Sequence, residues 1–91
     1  MRFAVHLEVR LRPTIADPEG ATIERALPAL GFDDVHNVRA GRSFRLEIEA
    51  ADEPQARLRA ADLANRLLAN PVMEDTDLLS VRVARDDAPV P

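Results

Sequence analysis

Residues 2 to 12 alternate in phase. Phe3, Val5, Leu7, Val9 and Leu11 share one phase; Arg2, His6, Glu8, Arg10 and Arg12 share the other. A period of two residues means a strand with one buried and one wet face. Such a strand needs neighbours for its backbone and a second layer over its apolar side. Pro13 ends it, because proline donates nothing to a ladder.

The rest of the chain supplies these neighbours. Asp17 is placed to cap a helix, and Pro18 suits the first helical position. Ile23, Ala26, Leu27 and Leu30 follow a helical stripe, and Gly31 provides a left-handed end. Pro28 is the misfit, since a proline inside a helix costs about 3 kcal/mol. The spacing predicts a kink there or an irregular last turn. Val35 to Arg39 reads as a short strand, and Ala40, Gly41 and Arg42 as a tight connection. Phe44, Leu46 and Ile48 then alternate with Arg45, Glu47 and Glu49. Together these predict a hairpin, with Gly41 at the positive-φ position.

A second helix is expected from Glu53 to Ala69, capped by Asp52, with Pro54 in its tolerant first turn. Ala60, Leu63, Ala64, Leu67 and Leu68 form its apolar face; Asn70 and Pro71 stop it. A final strand begins at Leu78 or Leu79 and runs to Val83, with Val81 and Val83 inward. One domain spans residues 1–85, and residues 86–91 read as a disordered tail. The order is β-α-β-β-α-β, the split βαβ pattern of an α+β, ferredoxin-like sandwich. Two helices would cover one face of a four-stranded antiparallel sheet. The other face would carry Glu8, Arg10, Arg45, Glu47, Glu49 and Arg82, with opposite charges pairing across strands for about 0.2–1 kcal/mol each.

A chain of 91 residues is one small domain, burying only about 60% of its unfolded surface. It has no cysteine, which excludes disulfides and thiolate metal sites. A partner subunit is therefore the expected source of stability, and a homo-oligomer, dimer or tetramer, is anticipated. The net charge of −4 speaks against nucleic acid and anionic membranes as partners. All twelve basic residues are arginine, which reads as genomic base composition. No apolar run reaches signal-peptide length or the ~20 residues of a membrane span, so a cytoplasmic location is expected.

Chemistry is scarce. Ser43 and Ser80 lack a nucleophile-elbow context. Nothing in the spacing brings His6 and His36 together with carboxylates, and they read as solvated or partner-facing. Glu74, Asp75 and Asp77 lack the ligand spacing and turn glycine of a calcium loop. Gly20, Gly31 and Gly41 are isolated, so no phosphate cradle forms. Phe3, Phe32 and Phe44 are the only aromatics, and Phe3 and Phe44 sit on core phases, unlike the base-stacking aromatics of RNA-binding sheets. Arg39 and Arg42 flank Gly41; they read first as ordinary surface arginines, and could otherwise grip an anion or a carboxylate on a partner.

Four stretches together resemble the PurS family, the small subunits of phosphoribosylformylglycinamidine (FGAM) synthase. They are Asp17-Pro18-Glu19-Gly20; Leu30-Gly31-Phe32 with Val35 and Val38; Val38 to Arg42; and Leu67-Leu68-Ala69-Asn70-Pro71-Val72-Met73-Glu74-Asp75. The last is the specific one, and the likeness covers about residues 3 to 83. Thr76 follows the acidic pair where the family commonly has an aromatic soon after. The resemblance implies a non-catalytic subunit in purine biosynthesis. In this family PurL, the synthetase, uses ATP, Mg and formylglycinamide ribonucleotide. PurQ, the glutaminase, releases ammonia from glutamine, and PurS bridges the two. It implies no catalytic residue, metal or cofactor on this chain. Asp17, Pro18, Gly20, Gly31 and Gly41 are then structural. Asn70, Pro71, Glu74 and Asp75 form a proline-stiffened segment after a helix end, which loses little entropy on docking. That segment is expected to contact the synthetase, with Arg39 and Arg42 as a second contact. The alternative is a dimeric regulatory module of the same topology, binding a small ligand at a loop such as Asp17 to Gly20.

Overall fold

The computed structural model describes residues 1–84. The tail expected over residues 86–91 lies outside the described residues. The alternating segment forms β1 (Arg2–Leu11), the middle strand of an antiparallel sheet. On one side lies β2 (Gly41–Glu49), with Phe3 opposite Ile48 and Leu7 opposite Phe44. On the other lies β3 (Glu74–Val83), with Val5 opposite Val81. Among the described residues the strand order is β2-β1-β3. Its central place explains why Phe3, Val5, Leu7 and Val9 are all buried.

One helix covers the apolar face. It is α2 (Glu53–Leu63), continued by a single π-helical turn over Ala64–Leu68. Ala56, Ala60 and Ala64 are its buried residues. Methyl groups at every fourth position form a narrow stripe that lets the helix approach the sheet closely. The Asp52 carboxylate accepts from the Gln55 N–H at 2.9 Å, while the Gln55 side chain accepts from the Ala51 N–H at 2.7 Å. These reciprocal bonds satisfy donors that the first turn leaves free. In the last turn the Ala69 N–H donates to the Ala64 carbonyl at 2.8 Å. The regular helix expected as far as Ala69 thus widens before it ends.

The first helix, α1 (Pro18–Ala26), is capped as expected: Asp17 accepts from the Gly20 N–H at 3.1 Å. Pro28 splits the stripe. The α-helix stops at Ala26, and Pro28–Leu30 forms a separate 3₁₀ turn closed by Gly31 at φ 89°. There the missing N–H of Pro28 falls at a first position, where it costs nothing.

The α+β class and the antiparallel sheet are as expected; the middle of the chain departs. Val35 to Arg39 forms no strand, and the expected hairpin is absent. The Val38 N–H donates to Glu24 at 2.9 Å, and the Ala40 N–H donates to Asp17 at 2.7 Å. Both donors are taken by side chains from α1 and its cap, so neither serves a ladder. The positive φ falls on Asn37, at 59°, and not on Gly41. Gly41 instead begins β2, where a Cβ would stand 3.0 Å from the Val9 carbonyl oxygen.

Two further corrections concern the sheet. β3 begins at Glu74, well before Leu78, because Arg10 pairs with Asp77 and Arg12 with Asp75 at 3.2 Å. These cross-strand pairs hold a polar stretch extended where its apolar pattern is silent. Val83, expected inward, ends the strand exposed. Nor do two helices share the apolar face. Among the described residues, none between Arg12 and Ala40 joins the core cluster. They form an arm beyond the end of β1, and the molecule measures 50 × 32 × 16 Å. Its radius of gyration is 16.5 Å, against about 12 Å for a compact domain of this length.

Candidate functional site

The open sheet face offers no catalytic constellation. Several of its charges are paired: Arg2 with Glu47 and Glu49 at 3.7 and 3.6 Å, and Arg10 with Glu8 at 3.8 Å. His6 Nε2 meets the Ser43 hydroxyl at 2.6 Å in an exposed position. His36 lies in the exposed segment before Asn37. Among the described residues no three His, Asp or Glu side chains gather as a metal cluster.

The Asn70–Asp75 loop is the better-built feature, and two arginines staple it. Arg42, from the start of β2, donates to the Leu68 carbonyl at 3.1 Å and to both Glu74 carboxylate oxygens at 3.1 and 3.2 Å. It also lies over the Phe44 ring, 5.6 Å from its centre. The Leu68 bond engages a carbonyl left free at a helix end. Glu74 accepts a further bond from the Asn70 N–H at 2.7 Å, and Asn70 in turn accepts from the Val72 N–H at 3.0 Å. Arg12 donates to the carbonyls of Pro71 and Val72 and to Asp75.

The loop's acceptors are therefore used inside the chain. Glu74 is mostly buried, and its carboxylate is not the free docking group that the sequence suggested. Arg42 joins Glu74 and Asn70 in one network. Arg39 stands apart from it, donating to the carbonyls of Arg12 and Ile15 at 2.9 and 2.8 Å. Beside these polar groups the segment presents apolar side chains outward. Leu67 is 74% exposed, Val72 75% and Met73 40%.

Arg12 and this apolar tip escaped the sequence reading. The signal for Arg12 was antiparallel charge matching: Arg10 and Arg12 run against Asp77 and Asp75. No comparable signal existed for the tip, since Leu67 belongs to a stripe that reads as core.

A second polar knot lies at the root of the arm. Asp17 is buried and accepts from both the Gly20 and Ala40 N–H groups. These bonds, Gly20's first and then Ala40's, hold its carboxyl below the usual carboxylate range; Arg39 adds to the effect. Gly20 packs against the Val38 carbonyl, where any side chain would overlap it. The Asp17 carboxylate is thus spent within its own chain, on the Gly20 and Ala40 N–H groups.

This arrangement fits a docking subunit, and similarity to known proteins decides its family. The family model for PurS, phosphoribosylformylglycinamidine (FGAM) synthase, matches residues 4–82. The chain belongs to the PurS family. It is 40% identical over 73 residues to the PurS subunit of Synechocystis, covering 80% of this chain and 73% of that one. The structure of Thermus thermophilus PurS superposes with a TM-score of 0.81 at 32% identity, covering 93% of this chain and all of that one. A chain of the Thermotoga maritima PurLQS structure superposes with a TM-score of 0.78 at 34% identity, covering 90% and 96%. PurS is a subunit of FGAM synthase, a glutamine-dependent ligase of purine biosynthesis. No helix among the described residues is long and apolar enough to cross a membrane.

Proposed function

We propose that this chain bridges the synthetase PurL and the glutaminase PurQ in a cytoplasmic FGAM synthase, and that it works as a homo-oligomer. It holds the two enzymes in register so that ammonia passes between them. ATP, Mg and glutamine are used by those partners, and this chain binds no cofactor. The observation that carries the reading is the likeness to a chain of the T. maritima PurLQS structure over 90% of this sequence.

The loop from Leu67 to Asp75 is the proposed contact with PurL. Arg12 and Arg42 hold its backbone rigid, so docking costs little ordering entropy. Its exposed Leu67, Val72 and Met73 supply an apolar anchor. Asn70, Pro71, Glu74 and Asp75 shape the loop that carries them, and Arg42 braces it. Arg39 adds a polar contact at the rim.

Co-purification with PurL and PurQ, with glutamine and nucleotide present, tests both parts. The wild-type chain should recover both partners. Val72→Asp should weaken PurL recovery at least tenfold while leaving the melting temperature unchanged. Undiminished recovery by that variant sinks the loop contact. Failure of the wild-type chain to recover either enzyme sinks the bridging role.

A further inference from the structure

The last turn of α2 breaks the helix's own period. An α-helix advances about 100° per residue, so from Ala64 it would send Leu67 roughly 60° to one side and Leu68 roughly 40° to the other. Both would then flank the core. Instead the Ala69 N–H reaches the Ala64 carbonyl, five residues back, at 2.8 Å, and the turn over Ala64–Leu68 holds one residue more. Leu68 packs against the core, while Leu67 is turned out to 74% exposure. Single π-helical turns of this kind are rare and gather at functional sites. The segment contains neither glycine nor proline, so no residue type within it imposes the wider turn.

The wider turn brings Leu67 beside Leu63, which is half-buried one turn earlier. With Arg59, Asp62 and Arg66 these two leucines line an open cleft of about 530 Å³ on the flank of α2. Asp62 and Arg66 satisfy each other at 3.2 Å. Arg59 has no ion-pair partner among the described residues. The cleft is continuous with the Leu67–Asp75 loop, because Leu67 belongs to both.

We infer that the PurL contact continues from the loop along this flank, where PurL seats an apolar side chain against Leu63 and Leu67 and sets a carboxylate against Arg59. This rests on the loop contact proposed above and extends it. An apolar pair beside an unspent arginine has the composition of an interface centre, and an arginine–carboxylate pair adds direction to apolar contact. The π-helical turn joins the two patches. In a regular helix Leu67 would lie toward the core, and the loop tip and the helix flank would be separate.

Titration of the whole chain with purified PurL tests this. Arg59→Glu should raise the dissociation constant at least tenfold, and Arg59→Lys, which keeps the charge, less than threefold. Deletion of Arg66 makes the Ala64–Ala69 bond an ordinary α-helical one and swings Leu67 roughly 60° away from Leu63. It should also raise the dissociation constant at least tenfold, with the melting temperature of the free chain unchanged. Arg66→Ala keeps the turn's length and should bind like the wild-type chain. Wild-type binding by either Arg59→Glu or the deletion, while Val72→Asp loses PurL, overturns the extension and leaves the loop contact standing. Equal losses from Arg66→Ala and the deletion, or a lower melting temperature on deletion, also overturn it, since the side chain or the fold would then require that residue. Wild-type binding by all of these variants, Val72→Asp included, overturns the loop contact as well.

Discussion

The two halves of this molecule solve the same problem by opposite means. The sheet and α2 are held by apolar packing: Leu7, Val5 and Val9 fill the core, and three alanines bring the helix down on them. The arm from Arg12 to Ala40 is held by polar pins to backbone, with Gly20 and Asp17 as its buried residues. Its large hydrophobic side chains point away from its own core. One half is stable because it is closed. The other keeps its shape while leaving its apolar surface for something else.

The largest expected effect separates them directly. Leu7→Ala removes a fully buried side chain from the central strand, and should lower stability by about 2–5 kcal/mol at every protein concentration. Leu30→Ala removes an exposed one. Dilute enough to dissociate the proposed oligomer, it should change stability by less than about 0.5 kcal/mol. Its cost should appear only as concentration rises, because an interface stabilises by mass action. Urea denaturation at two concentrations a hundredfold apart measures both. A concentration-independent loss for Leu30→Ala would place that side chain in the monomer's own core.

A smaller effect tests the pins. Gly20→Ala would drive a methyl group into the Val38 carbonyl and the Asp17 carboxylate. Overpacking of this kind costs about 1–3 kcal/mol. Amide exchange should rise first at Val38 and Ala40, whose N–H groups are held from α1 and its cap. Protection lost equally in β1 would mean that arm and sheet unfold as one unit.

Their legibility in sequence differs for the same reason. Period-two alternation marks apolar packing, so β1, the core half of β2 and the sheet's charged face could be read directly. Capping is also local, and Asp17 and Asp52 stood where their turns required them. The pins are not local. Nothing in the order of residues says that Glu24 reaches Val38 across a turn through Asn37, so Val35 to Arg39 read as a strand on its side-chain pattern alone. The start of β3 was hidden for a related reason: arginines on another strand hold it, while its own first four residues are polar. In the loop, Asn70, Pro71, Glu74 and Asp75 drew attention by type. The structure gives them to each other and to Arg12 and Arg42, and turns Leu67, Val72 and Met73 outward.

The mildest prediction concerns acid. The Gly20 and Ala40 N–H groups lower the Asp17 pKa in the folded chain, against about 3.9 for an unfolded aspartate. A depressed carboxyl stabilises the fold above the unfolded pKa and loses that contribution as pH falls through the folded one. The arm should therefore loosen below about pH 4, while the apolar core of Val5, Leu7 and Val9, which does not titrate, persists. Asp17→Asn keeps one accepting oxygen for the Gly20 N–H but removes the charge and the second acceptor, which serves the Ala40 N–H. It should lower stability at neutral pH, and the difference from the wild-type chain should shrink steadily as pH falls below about 4. Amide exchange at Ala40, followed over that range, is the sensitive readout. A constant difference between the two proteins from pH 7 to pH 3 would mean that Asp17 acts by shape alone, leaving the arm's root indifferent to charge.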